Sequence, residues 1–305
     1  MYFCSMIRGI VYMLLSGLSF FVINFFVKIL GNPTHPIIPN LQTYPAHELV
    51  FFRSLVSFVI SAFIIKQKGL KLLGNNRRWL FLRGSAGMIA LTIFFLTLHK
   101  LPLAIASTLQ YLSPIFTVLI AQQLFKEKVT PLQIISSLIA FIGVLLIGAP
   151  SLLETNSVID PFWLIMGVIS AIFSGIAYNA IGKLKNSEEP INIVIYFPMI
   201  ALPITGIWCL FDFTFPIGIE WLLLLIIGIF TQIAQILMTK AFLATDTAIV
   251  APFQYIGAIY ALLSGWFIFD EALGLIPVTG ITLVLIGVLI GTIFRKKKLA
   301  STKIS

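Results

Sequence analysis

Runs of about 20 apolar residues, separated by short polar or proline- and glycine-rich breaks, recur along the whole chain. A helix crossing about 30 Å of hydrocarbon needs about that length, and in lipid its backbone polar groups must be satisfied within the segment. Ten such runs are predicted as transmembrane helices, near 8–30, 47–66, 79–98, 102–124, 131–149, 161–182, 191–211, 220–240, 247–268 and 276–294. Little chain is left outside the bilayer. The expected fold class is an all-α integral membrane protein of ten transmembrane helices.

Composition removes the soluble alternatives. The 305 residues are 59% hydrophobic and 10% charged, against about 25% charged in soluble domains. A water-soluble fold of this size cannot hide so much apolar surface, and disorder needs the opposite composition. Cys4 and Cys209 are too few for a disulfide framework or a zinc site, and His35, His47 and His99 lack metal-ligand spacing. No cofactor or metal is expected. Arg8 precedes a long apolar run without a small-residue cleavage pattern, which reads as a retained first span.

The net charge of +9 belongs to topology rather than to nucleic-acid binding. With the N-terminus inside, sixteen of the twenty Lys and Arg residues fall on cytoplasmic segments, from Arg8 to the Arg295-Lys-Lys-Lys298 tail. Lys100 alone lies on the opposite side, and Lys28, Arg53 and Arg83 lie within spans. Both termini are therefore expected in the cytoplasm, with the membrane read as a bacterial inner (plasma) membrane and an organellar one left open.

A shift of 144 residues lays the fourth and fifth spans on the ninth and tenth without a gap. Between 104–148 and 248–292 there are twelve identities, including Gln110/Gln254, Tyr111/Tyr255, Phe125/Phe269 and Glu127/Glu271. A looser shift of 158 pairs Gly9, Ser16 and Gly17 with Gly167, Ser174 and Gly175. The chain reads as two five-helix repeats, 8–149 and 161–294, followed by a basic cytoplasmic tail, 295–305. Five is odd, so the second repeat enters the membrane inverted relative to the first. That architecture lets two similar bundles rock about a site near the midplane.

Several motifs carry a family resemblance. They are His47-Glu-Leu-Val-Phe-Phe-Arg53, Leu101-Pro-Leu-Ala104, Tyr111-Leu-Ser-Pro114, Phe125-Lys-Glu-Lys128 before Thr130-Pro131, and Phe269-Asp-Glu271. In this order, on a ten-span repeat, the chain resembles the EamA-type family of the drug/metabolite transporter superfamily. The resemblance implies a ten-helix carrier of small organic solutes such as amino acids, nucleotide derivatives or other metabolites. The proline-rich segment 31–46 departs from it in length.

Ser107, Gln110, Tyr111 and Pro114 share one helix face, and Ala251, Gln254, Tyr255 and Ala258 share the equivalent face of the ninth span. Amide and phenol groups facing lipid are costly, so Gln110, Tyr111, Gln254 and Tyr255 are candidate cavity-lining residues. Interhelical hydrogen bonding, worth about 0.6 kcal/mol, is the blander role. Gln232 and Gln235 share a face of the eighth span, and Asn24 and Asn179 are further candidates. Pro114 is expected to kink its helix, and Pro198 and Pro203 to bend the seventh span. Lys28 and Glu48 lie at one level and are expected to pair. Arg53 sits about 140° around the helix from Glu48, so it needs a carbonyl, water or an anionic substrate group, while Arg83 is expected to snorkel. The fifth and tenth spans, with Gly143, Gly148, Gly287 and Gly291, are expected to pack peripherally or between protomers.

The function expected from these observations is a secondary carrier moving small polar or amphipathic metabolites such as amino acids, with lipid and a small-molecule solute as its partners, as a monomer or homodimer. S-adenosylmethionine uptake and nucleotide-sugar exchange compete as substrate classes, and a receptor or channel is the alternative of a different class. Neither a nucleophile with a base nor a buried carboxylate pair suggests an enzyme. Acidic residues other than Glu48 lie in loops or at span ends, which favours facilitated transport or exchange over proton coupling.

Overall fold

The computed structural model describes residues 2–30, 41–101, 103–125, 130–153, 160–260, 263 and 274–301. All regular elements among them are helical. They are α1 (Tyr2–Leu30), α2 (Ala46–Gln67), α3 (Arg77–Lys100), α4 (Leu103–Gln110), α5 (Ser113–Phe125), α6 (Pro131–Leu153), α7 (Pro161–Lys183), α8 (Pro190–Cys209), α9 (Glu220–Ala244), α10 (Thr247–Val250) and α11 (Leu275–Ser301). A 3₁₀ turn, Ala251–Tyr255, follows α10. Six helices are long and apolar enough to cross a membrane: those within α1, α2, α3, α7, α8 and α9. Shorter apolar helices occupy Pro131–Ile147, Thr247–Tyr260 and Leu275–Ile290.

Local chemistry sets several of these boundaries. Asp160 caps α7 by accepting the Phe162 N–H at 2.9 Å, with Pro161 at the first helical position where its missing N–H costs nothing. At the other extreme, α2 stops at Gly69, whose φ of 64° only glycine adopts cheaply. The Gly69 and Leu70 N–H groups turn back to Lys66 O and Ile65 O, closing the helix end.

The fourth span differs from the continuous helix expected over 102–124. It breaks after Gln110 into α4 and α5. Pro114 has no N–H to offer the Gln110 carbonyl, and its ring clashes there, so the chain tightens into three-residue turns: Tyr111 N–H bonds Thr108 O and Leu112 N–H bonds Leu109 O. The ninth span is interrupted at the matching level, passing from α10 through the 3₁₀ turn that carries Pro252, Gln254 and Tyr255. By contrast, α8 runs through Pro198 and Pro203 as one helix. The last helix extends beyond its predicted end and takes in Arg295–Lys298.

Helices pack as α1 on α9, α3 on α7, α2 on α8 and α9, α5 on α7, and α6 on α11. The helices of the expected fifth and tenth spans thus pair with each other within one chain. A β-carbon at Gly143 would stand 2.6 Å from Gly280 O and 2.7 Å from Val284 N, so only glycine permits this backbone approach. One at Gly287 would stand 2.6 Å from both Ser136 O and Ala140 N. Residues 136, 140 and 143 are each 144 positions from 280, 284 and 287, so the same contact is made twice. Gly84 packs on Ile200 and Gly228 on Val56 with the same offset. Gly17 meets Tyr260 and Gly175 meets Phe116, which joins the 158-residue shift to the 144-residue one. The outward faces of α6 and α11 remain apolar, with Ile142, Leu145, Leu285 and Leu289 exposed.

Candidate functional site

The two helix breaks meet at the centre of the bundle. Tyr111 and Tyr255 face each other with ring centroids 6.4 Å apart and planes inclined at 35°. Tyr255 is fully buried, and among the described residues its hydroxyl has no hydrogen-bond partner. Tyr111 also reaches Gly257, on the far side of the second break.

The two glutamines beside these tyrosines differ. Gln110 is bound to α7: its Nε2 donates to Ser174 Oγ at 2.9 Å, and Ser170 Oγ stands 3.0 Å from its Oε1. Ser170 Oγ is also 2.8 Å from Ala90 O on α3, so its single hydrogen serves one acceptor at a time. Gln254 Nε2 is buried and unpartnered. Ser16, the counterpart of Ser174 at the 158-residue shift, instead donates its Oγ hydrogen to Ala234 O at 2.8 Å.

A second polar stripe joins α2, α3 and α9. Ser57 Oγ donates to Gln232 Oε1 at 2.5 Å, and Gln232 Nε2 donates to Ser61 Oγ at 2.8 Å. One turn on, Gln235 Oε1 accepts from Arg83 Nη2 at 3.0 Å. Arg83 is therefore not snorkelling: it is 3% exposed and turned into the bundle, because its face of α3 packs against neighbouring helices instead of lipid. Tyr178, stacked on Phe242 at 5.3 Å, lies within electrostatic range of it. Ser170, Ser174 and Tyr178 recur every four residues on α7, so one helix face connects Gln110 to Arg83.

Arg53 is 9% exposed and, among the described residues, has no hydrogen bond, its Nε being buried. Buried near it in sequence and on the facing helix, Ser54 Oγ and Thr231 Oγ1 are unpartnered too. Asn179 is buried and ties α7 to α5 through Nδ2, which donates to Thr117 O at 2.9 Å. Asn24 is exposed on α1 and is not gathered with the others. The side chains of Lys28 and Ser107 lie outside the described residues, as do Glu127, Phe269 and Glu271. Glu48 is fully buried and accepts the Thr214 N–H at 3.0 Å, with Oε1 unpartnered.

Loop clasps close the two ends of the bundle. At one end Glu220 accepts four hydrogen bonds, from Gln42 N (2.7 Å), Gln42 Nε2 (2.9 Å), Tyr44 Oη (2.6 Å) and Ile217 N (2.7 Å). Burial and the Glu220 carboxylate hold the Tyr44 phenol well above its ordinary pKa, so it stays a donor. At the other end Glu188 accepts the Asn75 and Asn76 N–H groups, and Asn192 Nδ2 donates to Lys71 O at 2.6 Å. Tyr44 and Glu220 correspond to Glu188 and Asn76 at the 144-residue offset, so the clasps are equivalent.

Broken helices around a buried polar centre recur in secondary carriers. The sequence matches the EamA-like transporter family twice, over residues 7–149 and 161–293. The chain belongs to the EamA-like transporter family. It is accordingly a transporter and not an enzyme, an integral membrane protein whose partners are a small-molecule solute and the lipid around it. The pseudopaline exporter of Pseudomonas aeruginosa is 29% identical over 283 residues, covering 91% of this chain and 93% of that one. A riboflavin transporter of Brucella anthropi is 25% identical over 236 residues, covering 75% and 81%. A protein of solved crystal structure superposes with a TM-score of 0.79 at 15% identity, over 95% of this chain and 98% of that one, which establishes the shared fold.

Proposed function

We propose that this EamA-family member is an alternating-access secondary carrier for small polar or amphipathic metabolites such as amino acids. It is built as two inverted five-helix halves, 8–149 and 161–294, with the basic tail 295–305 and the N-terminus both in the cytoplasm of a bacterial cell. The observation that carries the reading is the meeting of Tyr111 with Tyr255, duplicated residues at two matching helix breaks. The double family match and the contacts repeated at one offset support two related halves. The bias of Lys and Arg supports the orientation.

In this reading Gln110, Tyr111, Gln254, Tyr255, Gln232, Gln235 and Arg53 line the solute path. Asn179, with both Nδ2 bonds made to backbone carbonyls, holds α7 in place. Breaks at the two Gln–Tyr motifs supply backbone and side-chain groups that bind a polar solute without exposing them to lipid. The clasps at Glu220 and Glu188 are the contacts that part when one end opens. Relatives named for pseudopaline export and for riboflavin transport support a small organic solute. S-adenosylmethionine and nucleotide sugars are the competing classes.

The test is counterflow of radiolabelled metabolites in proteoliposomes, with and without an imposed pH gradient. Saturable counterflow of at least one small metabolite, without need of the gradient, is the expected result. Flux that occurs only with a proton gradient would replace exchange by proton coupling.

A further inference from the structure

We propose that the transported solute carries a carboxylate, and that Arg83, backed by Gln235, receives it. The inference rests on the carrier reading above and names the cargo's charge. Its starting point is an electrical imbalance. The guanidinium groups of Arg83 and Arg53 are both buried, and the buried acidic side chain of α2, Glu48, stands at the start of that helix. Arginine does not lose its proton in a protein, so neither side chain escapes the cost of burial by neutralising.

Among the described residues neither arginine has a carboxylate partner. Arg83 donates to the neutral Gln235 amide, which orients the fork but does not cancel its charge, and its Nε is left buried and unpartnered. Among the described residues Arg53 makes no hydrogen bond, and the Ser54 and Thr231 hydroxyls are unpartnered too. The buried carboxylates stand at helix starts, away from both arginines. Glu220 holds four donors at one clasp, and Glu48 faces the 212–214 loop. A half-turned helix face separates Glu48 from Arg53.

Buried charge without a partner marks a substrate or ion path in membrane proteins. The guanidinium fork matches a carboxylate with two parallel N–H···O bonds, and Arg83 Nε is one of the donors such a pair uses. Polar groups run from there toward the paired tyrosines through Tyr178, Ser174 and Gln110. An amphipathic solute of amino-acid size would place its carboxylate on the arginine and its apolar part on the rings. Ser57 and Ser61 fix Gln232 from the α2 side, keeping that part of α9 in register with Gln235.

The experiment uses the full-length chain in nanodiscs, with thermal unfolding followed by tryptophan fluorescence. Glutamate and succinate are compared with glutamine and succinamide at equal ionic strength, and inorganic phosphate serves as an anion of different chemistry. The carboxylates should raise Tm by roughly 3 °C at saturating concentration while the amides leave it unchanged. Arg83→Gln should abolish the rise, and Arg83→Lys, which keeps the charge but not the fork, should retain part of it. Equal shifts with carboxylates and amides in the unsubstituted protein would overturn the proposal, and that comparison needs no variant to fold. A larger shift with phosphate would overturn the assignment to a carboxylate. Carboxylate binding that depends on Arg83, without counterflow of any solute, would strike the carrier reading and leave the anion site standing.

Discussion

Tyr111 and Tyr255 occupy equivalent places in the two halves of the sequence and stand 6.4 Å apart, ring to ring, in the fold. Their neighbours have diverged. Gln110 is engaged by two serines of α7, whereas Gln254 Nε2 has no partner. Replacing the two glutamines should therefore have opposite signatures. Gln110→Ala should lower stability by about 1 kcal/mol, as a lost interhelical hydrogen bond does. Gln254→Leu should leave Tm unchanged or raise it, since it removes an unsatisfied buried group, yet cut counterflow by about tenfold if that amide binds solute. Melting curves and flux in the same preparation check both.

The Glu220 clasp makes a second prediction. Four donors converge on one carboxylate, and Glu220→Gln turns one of its acceptors into a donor that opposes them. The cost should be about 1–3 kcal/mol and should appear as faster amide exchange at residues 42–44 and 217. The pH dependence follows from Tyr44, whose phenol titrates above its ordinary value of 10.0. A raised pKa stabilises the folded form below that value, so the clasp should hold throughout neutral pH and weaken only as pH rises beyond about 10.

The glycine contact between α6 and α11 makes a third. A methyl at Gly143 or Gly287 would collide with backbone atoms of the opposite helix at 2.6 Å. Gly143→Ala and Gly287→Ala should each destabilise by about 1–3 kcal/mol, and by similar amounts because the contacts are equivalent. Denaturation in detergent reads the difference. Unequal effects would show that the two contacts do not carry equal load.

The unpaired arginines make a fourth. An empty site that must close around bare guanidinium groups reorients reluctantly, at a cost on the order of 2.5 kcal/mol for each buried charge. Exchange of labelled solute should therefore outpace net efflux by well over about tenfold. Arg83→Gln should narrow that ratio. Paired efflux and exchange assays on the same proteoliposomes measure it.

The duplication was readable in the sequence because a Gln–Tyr pair inside a span is expensive in lipid, so its recurrence at Gln254–Tyr255 is not a chance apolar match. Pro114 announced a kink, yet the full break also needed the tight turns at Tyr111 and Leu112, whose bonding depends on local geometry. Arg83 departs from the snorkelling expectation because position along a helix gives depth but not which side faces lipid. Packing of α3 against its neighbours decides that its side chain turns inward to Gln235. Glu220 looked like an ordinary residue at a span end. Its four donors come from segments far apart in sequence, and only the fold brings residues 42–44 to it.

Access to the centre from both sides is the claim on which the rest depends, and cysteine labelling tests it most directly. With Cys4 and Cys209 replaced by serine, Gln254→Cys would be treated with a membrane-impermeant thiol reagent in right-side-out and in inside-out vesicles. Alternating access predicts labelling from each face, slowed from both by saturating solute. Labelling from one face alone, whatever the conditions, would contradict it.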